Sequence, residues 1–197
     1  DPAGHVVARP RPEEDIDIDL TALIVELRRR GIQFPVLLRF QDILSARVRR
    51  INQAFRDAID ECGYQGVYQG VYPIKVNQLH EVVEEVLEAG AEFRLGLECG
   101  SKGELVAALP HLVDDDLLLI CNGVKDHSML SLIHMGQRLG KQALPVVERD
   151  NELREWLRLT CDSTVPAPFG VRVRLTVAGS GRWQASSGDQ SKFGLSI

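Results

Sequence analysis

Short apolar runs alternate with amphipathic segments along most of the chain, from residue 71 onward. The runs have the length of buried strands, and the segments between them carry apolar residues at helical spacing. The pattern predicts strands over residues 71–76, 93–98, 117–121, 143–147 and 169–177. It predicts helices over residues 79–88, 101–109, 126–139 and 151–159. Nearly continuous apolar strands that alternate with helices indicate an α/β protein with a parallel sheet covered by helices.

Two architectures fit this alternation. One is a doubly wound open sheet, and the other is a β/α barrel that is cut short after about five βα units. A full barrel has eight strands and typically about 250 residues. The chain has 197 residues. Periodicity alone does not choose between the two architectures.

The first 70 residues follow a different pattern. Residues 1–15 are rich in proline, arginine and acidic residues and are predicted to be an extended lead-in. Apolar residues at helical spacing predict helices over 20–30 and 41–61. Between them, the apolar run at 34–40 is predicted to be a strand.

Composition narrows the classes of function. There are 23 basic and 28 acidic residues, a net charge of −5, which argues against a nucleic-acid partner because such proteins carry a basic face. The four cysteines are widely spaced without a CxxC pair, as is typical of reduced thiols in a cytoplasmic protein. No apolar run approaches the ~18 residues of a membrane span, so we expect no membrane partner.

Polar residues collect where the predicted strands end, which is where α/β proteins place their functional groups. These residues include Lys75 and Asn77 after the first strand, Glu98 after the second, Glu148 after the fourth, and Arg172 and Arg174 in the fifth. A lysine at such a strand end is predicted to be partly desolvated, which makes its amine a nucleophile toward a carbonyl. That is the requirement for a Schiff base with pyridoxal phosphate. A simpler alternative is that Lys75 pairs with Glu98 or reaches the solvent.

Four segments of the sequence resemble the biosynthetic (SpeA-type) arginine decarboxylases. They are YPIKVNQ at 72–78, GLECGSK at 96–102, CNGVKD at 121–126, and the stretch 179–195 with GSGRWQ and SKFGL. They occur in order and cover essentially residues 32–196. The resemblance implies the alanine-racemase-like pyridoxal-phosphate fold, in which a (β/α)8 TIM barrel is joined to a β-domain. Residues 1–41 would then be a lead-in, a helix and one strand of the β-domain, and residues 42–197 the N-terminal portion of the barrel.

The resemblance also implies roles for individual residues. Lys75 would be the catalytic lysine that binds pyridoxal 5'-phosphate, with Glu98 and Arg172 beside the cofactor. The arginine could also be Arg174, and the sequence favours Arg172 only slightly. Further residues expected near the site are Asn77, Glu104, Arg174 and Lys192.

The activity implied by the resemblance is a carbon–carbon lyase reaction. L-arginine would lose carbon dioxide to give agmatine, on the route to putrescine and spermidine. The family resemblance further implies a magnesium requirement without a nameable ligand set, and a homo-oligomer or an assembly with the missing C-terminal portion.

The chain is shorter than members of that family, and the sequence therefore predicts an N-terminal fragment that is inactive alone. Two alternatives stay open. One is a protein that binds the cofactor, or a dimer partner, without catalysing a reaction. The other is a related decarboxylase that acts on diaminopimelate or ornithine.

Overall fold

The computed structural model describes residues 1, 3–174, 177, 194 and 195. These residues form two compact units. The first consists of Asp1–Tyr68 and His80–Ala91, and the second of Gln69–Leu79 and Glu92–Ile197. Among the described residues, none of the helices combines the length and the apolar character needed to cross a membrane.

The first unit contains a small strand pair and three helices. Strands β1 (Val7–Ala8) and β2 (Ile18–Asp19) pair antiparallel, so the predicted extended lead-in contains one strand, and a 3-10 helix over Pro12–Glu14 interrupts it. Its helices are α1 (Leu20–Arg29), α2 (Gln41–Cys62) and α3 (His80–Gly90), which confirms the three predicted from apolar spacing. Helices α2 and α3 contact each other, and the Ser45 hydroxyl donates to the Glu85 carboxylate between them.

The predicted strand at residues 34–40 is not present. No strand is assigned to these residues, and most of their apolar side chains are exposed, with Leu37 at 76%. A strand needs a neighbour for its backbone hydrogen bonds, and none of the described strands pairs with this segment. The apolar run was therefore a misleading signal.

The second unit is built on a five-stranded parallel sheet. Its strands are β3 (Val71–Pro73), β4 (Gly96–Cys99), β5 (Leu118–Cys121), β6 (Gln142–Val147) and β7 (Gly170–Val171). Each strand lies beside the next one in sequence, in the order β3-β4-β5-β6-β7. The helices that separate them within this unit are α4 (Lys102–Ala108), α5 (His127–Arg138) and α6 (Asp150–Thr160). The structure thus confirms the α/β class and the parallel sheet.

The strands are shorter than the apolar runs that predicted them. The run at 71–76 ends as a strand at Pro73 and continues as a 3-10 helix over Ile74–Val76. The run at 169–177 forms only β7 and an isolated bridge between Val173 and Leu195, and residues 175 and 176 lie outside the described part of the chain.

The core of this unit lies where apolar side chains from neighbouring strands meet in register. Leu97 pairs with Leu119, and Cys99 pairs with Cys121, and all four are fully buried. Leu105, Leu130, Ile133 and Trp156 from the helices are buried as well. This apolar packing leaves the carboxyl ends of the strands to carry polar residues.

Candidate functional site

Charged side chains from successive strand ends line one cavity of about 890 Å³ in the second unit. The residues that carry charge are Lys75, Glu98, Glu104, Glu148 and Arg172. Lys75, Glu148 and Arg172 follow β3, β6 and β7, whereas Glu98 lies in β4 and Glu104 on α4. Because parallel strands end at the same edge of the sheet, residues far apart in sequence meet there.

Lys75 lies on the 3-10 helix after β3 rather than at the strand end, which corrects the predicted strand boundary. Its neighbour Ile74 is buried and anchors this turn, whereas the Lys75 side chain is 59% exposed. The predicted desolvation of Lys75 is therefore not seen, because the chain turns before the lysine and directs it beyond the sheet. Its Nζ lies 3.7 Å from Oε1 of Glu98, so the simpler pairing named above is present.

Glu98 is a buried carboxylate on the central part of the sheet. Its Oε1 accepts a hydrogen bond of 2.9 Å from Nδ2 of Asn122, at the end of β5. Its Oε2 is buried and has no hydrogen-bond partner among the described residues. A buried carboxylate oxygen without a partner is costly, so this oxygen is available to accept a hydrogen bond from a further donor.

A second buried carboxylate, Glu148, lines the cavity and contacts Arg172. Its Oε1 accepts from the backbone N–H of Gly123 at 3.0 Å and from Nη1 of Arg172 at 3.2 Å. Gly123 has a φ of +73°, and a Cβ there would lie 2.3 Å from the Gly100 carbonyl oxygen. The two loops that follow β4 and β5 can approach each other this closely only because this residue is glycine.

Glu104 and Asn77 both make local hydrogen bonds. Ser101 caps α4 by accepting from the Glu104 N–H at 3.3 Å, and Glu104 Oε2 accepts from the Gly100 N–H at 2.8 Å. Asn77 Oδ1 accepts from the Leu79 N–H at 3.1 Å. Glu104 lines the cavity, whereas Asn77 is not among the described residues that line it.

The two candidate arginines have different surroundings. Arg172 lines the cavity, whereas Arg174 is not among its described lining residues and donates from Nη2 to the Gly194 carbonyl oxygen at 3.5 Å. Lys192 and most of the segment 179–195 lie outside the described residues.

Sequence reasoning missed a buried ion pair beside the cavity. Lys125 Nζ lies 3.3 Å from Glu152 Oε2, and their side chains are 0% and 1% exposed. Glu152 lies four residues after the strand-end Glu148, in a segment that the sequence predicts to be an amphipathic helix. A glutamate in an amphipathic helix is normally solvated, so nothing in the sequence distinguished it.

Comparison with known proteins identifies relatives that span this site. The family described as pyridoxal-dependent decarboxylase, pyridoxal binding domain, matches residues 46–197. The biosynthetic arginine decarboxylase of Gloeobacter violaceus is 46% identical over 193 residues, which cover 98% of this chain and 30% of that protein. The enzyme of the same name from Phocaeicola vulgatus is 45% identical over 192 residues, with the same coverage. These relatives confirm the resemblance predicted from the four sequence segments.

A solved structure gives the same result at the level of the fold. The crystal structure of the biosynthetic arginine decarboxylase SpeA from Campylobacter jejuni matches with a TM-score of 0.77 at 31% identity. The match covers 89% of this chain and 28% of that one. The chain therefore spans about 30% of the length of the curated relatives it matches.

Proposed function

This chain belongs to the family of pyridoxal-dependent decarboxylases, and we propose that it forms the cofactor-lysine part of an arginine decarboxylase active site. The observation that carries the proposal is the position of Lys75. Its amine lies 3.7 Å from the buried Glu98 carboxylate, at a cavity that also presents Arg172.

The residues present fit pyridoxal phosphate. A lysine amine is the nucleophile that an aldehyde requires, and a guanidinium is a suitable partner for a phosphate or a phenolate oxygen. The unpartnered Oε2 of Glu98 is an acceptor for a donor on the ligand. We therefore assign Lys75 as the residue that binds the cofactor, with Glu98 and Arg172 beside it.

The strand order supports the barrel rather than the doubly wound sheet. A doubly wound sheet reverses direction at a switch point, so neighbouring strands are not all consecutive in sequence. Here each pair of neighbouring strands, from β3 to β7, is also consecutive in sequence, as in a β/α barrel. We propose that residues 42–197 contribute about five βα units to an eight-unit barrel, and that residues 1–41 precede it.

The chain's own residues prepare Lys75 for its role. An amine must be uncharged to attack an aldehyde, so the proton on Nζ must leave before the cofactor binds. Oε1 of Glu98 lies 3.7 Å from Nζ, where it can accept that proton, and Asn122 fixes the carboxylate by its hydrogen bond. Arg172 contributes a positive charge to the same cavity. The bound cofactor supplies the electron sink for loss of carbon dioxide from an amino acid.

The proposed substrate is L-arginine, because the relatives that match almost the whole chain are named arginine decarboxylases. The product would be agmatine, which leads to putrescine and spermidine. A cytoplasmic location, a magnesium requirement and a homo-oligomer, or an assembly with a C-terminal portion, are further proposals. Among the described residues, no group of three or more histidine, cysteine or acidic side chains is placed to hold a metal ion.

The proposal is tested on the protein expressed from its complete gene. Pyridoxal phosphate is added, the lysine-bound cofactor is reduced with borohydride, and the labelled peptide is identified by mass spectrometry. We expect the label on Lys75, its loss in Lys75→Ala, and its retention in the control Lys141→Ala, whose side chain pairs with Asp115 away from the cavity.

Decarboxylation is then measured with L-arginine, L-ornithine and diaminopimelate. Release of carbon dioxide from arginine alone is the expected result. A preference for another substrate would replace the substrate assignment but keep the cofactor site. Label on a different lysine would overturn the assignment of Lys75.

A further inference from the structure

A cluster of buried charges contacts Arg172 and has no role in the mechanism above. It consists of Lys125, Glu148 and Glu152, each less than 5% exposed, and we call it the support cluster. Buried charges are costly even when they are paired, so stability alone is a poor explanation for three of them.

Glu152 occupies the centre of the support cluster. Its Oε1 accepts from the backbone N–H of Lys125, and its Oε2 accepts from the backbone N–H of Glu148, both at 2.9 Å. The Lys125 ammonium lies 3.3 Å from the same Oε2. Because both oxygens are occupied, Glu152 fixes the loop after β5 and the end of β6 relative to each other.

Glu148 extends from that fixed backbone to the cavity. Its Oε1 is shared by the Gly123 N–H and the Arg172 guanidinium. Its Oε2 is buried without a hydrogen-bond partner among the described residues. A guanidinium can bind both oxygens of a carboxylate at once, so this free oxygen offers Arg172 a second contact.

We propose that Glu148 is a positioning residue for Arg172, and that the Lys125–Glu152 pair fixes Glu148 so that the guanidinium faces the cofactor cavity. This inference rests on the proposed function, because the cavity matters only if it binds the cofactor. Glu148 acts through Arg172 in two ways. It holds the guanidinium in one orientation, and it offsets part of its positive charge.

The charge offset has a consequence that a purely structural residue would not have. Among the described residues, the charged groups that line the cavity with Lys75 are Glu98, Glu104, Glu148 and Arg172. If Glu148 loses its negative charge, less negative charge offsets the Arg172 guanidinium in the cavity. The protonated lysine–cofactor linkage is then disfavoured, and the pH midpoint of its absorbance change falls.

The test compares variants of the protein expressed from its complete gene. Glu148→Gln keeps the shape of the side chain and removes its charge. We expect the dissociation constant for pyridoxal phosphate to rise about tenfold, as for loss of one charge-assisted hydrogen bond. We also expect the pH midpoint of the bound cofactor's absorbance to move lower.

A double variant separates positioning from general support. Since Glu148 acts through Arg172, adding Glu148→Gln to Arg172→Gln should raise the dissociation constant no further than Arg172→Gln alone. Glu155→Gln is the matched control, because Glu155 lies on the same helix as Glu152 but pairs with His127 and Arg158. It should change neither the affinity nor the midpoint.

Several outcomes overturn the proposal. Glu148 does not act through Arg172 if the two substitutions raise the dissociation constant independently, so that their effects multiply in the double variant. An unchanged pH midpoint in a folded Glu148→Gln protein would lead to the same conclusion. If Glu148→Gln does not fold, Glu148→Asp decides instead, because it keeps the charge but shortens the side chain. It should weaken cofactor binding with the midpoint kept, and unchanged binding would contradict the proposal. An unmodified protein that binds no cofactor would instead contradict the proposed function itself.

Discussion

At the scale of single residues, the four cysteines show how burial decides reactivity. Cys62 and Cys161 are exposed, whereas Cys99 and Cys121 are buried side by side on neighbouring strands. The hydrogen bond with Cys99, together with burial, raises the pKa of the Cys121 thiol far above its ordinary value. A thiol with a raised pKa stays protonated, and only the thiolate reacts readily.

We therefore predict selective alkylation of the folded protein. At pH 8.5, iodoacetamide should modify Cys62 and Cys161 within minutes and leave Cys99 and Cys121 unmodified, as read by peptide mass spectrometry. The same reagent in denaturant, where all four thiols are accessible, is the control. Equal labelling of Cys121 in the folded protein would contradict the buried packing of β4 and β5.

At the scale of elements, helices were easier to predict than strand boundaries. The spacing of apolar residues marks a helix over successive turns, so all of the helices α1 to α6 were anticipated to within a few residues. Strands depend on a neighbour, which an apolar run does not reveal. The run at 34–40 pairs with none of the described strands, and the run at 71–76 continues as a 3-10 helix after Pro73.

Gly96 shows how closely two of these strands must approach. A Cβ on Gly96 would lie 2.0 Å from the carbonyl oxygen of Leu118, which belongs to the backbone of β5 and cannot move aside. We predict that Gly96→Ala lowers the free energy of unfolding by about 1–3 kcal/mol, as for other overpacked cores. The change is measured by urea denaturation followed by circular dichroism.

Gly103 is the matched control for that substitution. It lies in α4, and a Cβ there would meet no atom within 4 Å. Because alanine favours a helix over glycine, Gly103→Ala should raise the free energy of unfolding by about 0.5–1 kcal/mol. A similar effect of both substitutions would argue against the close contact at Gly96.

At the scale of the whole molecule, the sheet ends in β3 and β7, each with one neighbouring strand in the sheet order. The proposed barrel would pair the free edge of β3 with a further strand and would extend the bridge between Val173 and Leu195 into a strand beside β7. Edge strands with unpaired backbone groups exchange their amide hydrogens faster than central strands do.

Hydrogen exchange on the protein expressed from its complete gene tests the barrel. We predict that peptides covering residues 69–73 and 169–173 are protected to the same degree as those covering β4 and β5, because both edges are paired. Peptides are resolved by mass spectrometry, with the exposed segment 34–38 as the fast-exchanging reference. Rapid exchange at both β3 and β7 would favour an open sheet.

The predicted division of the chain after residue 41 stays a prediction.

The sequence by itself determined the class of the fold and the family. Apolar periodicity is a local property, and the four sequence segments that mark the family are contiguous, so both can be read along the chain. Only the tertiary structure decided which polar residues share a cavity. Lys75, Glu98 and Arg172 meet because parallel strands end at one edge, and the Glu148 and Lys125–Glu152 contacts join residues that are 24 to 27 positions apart. Such contacts depend on how the strands and helices pack, which no local pattern records.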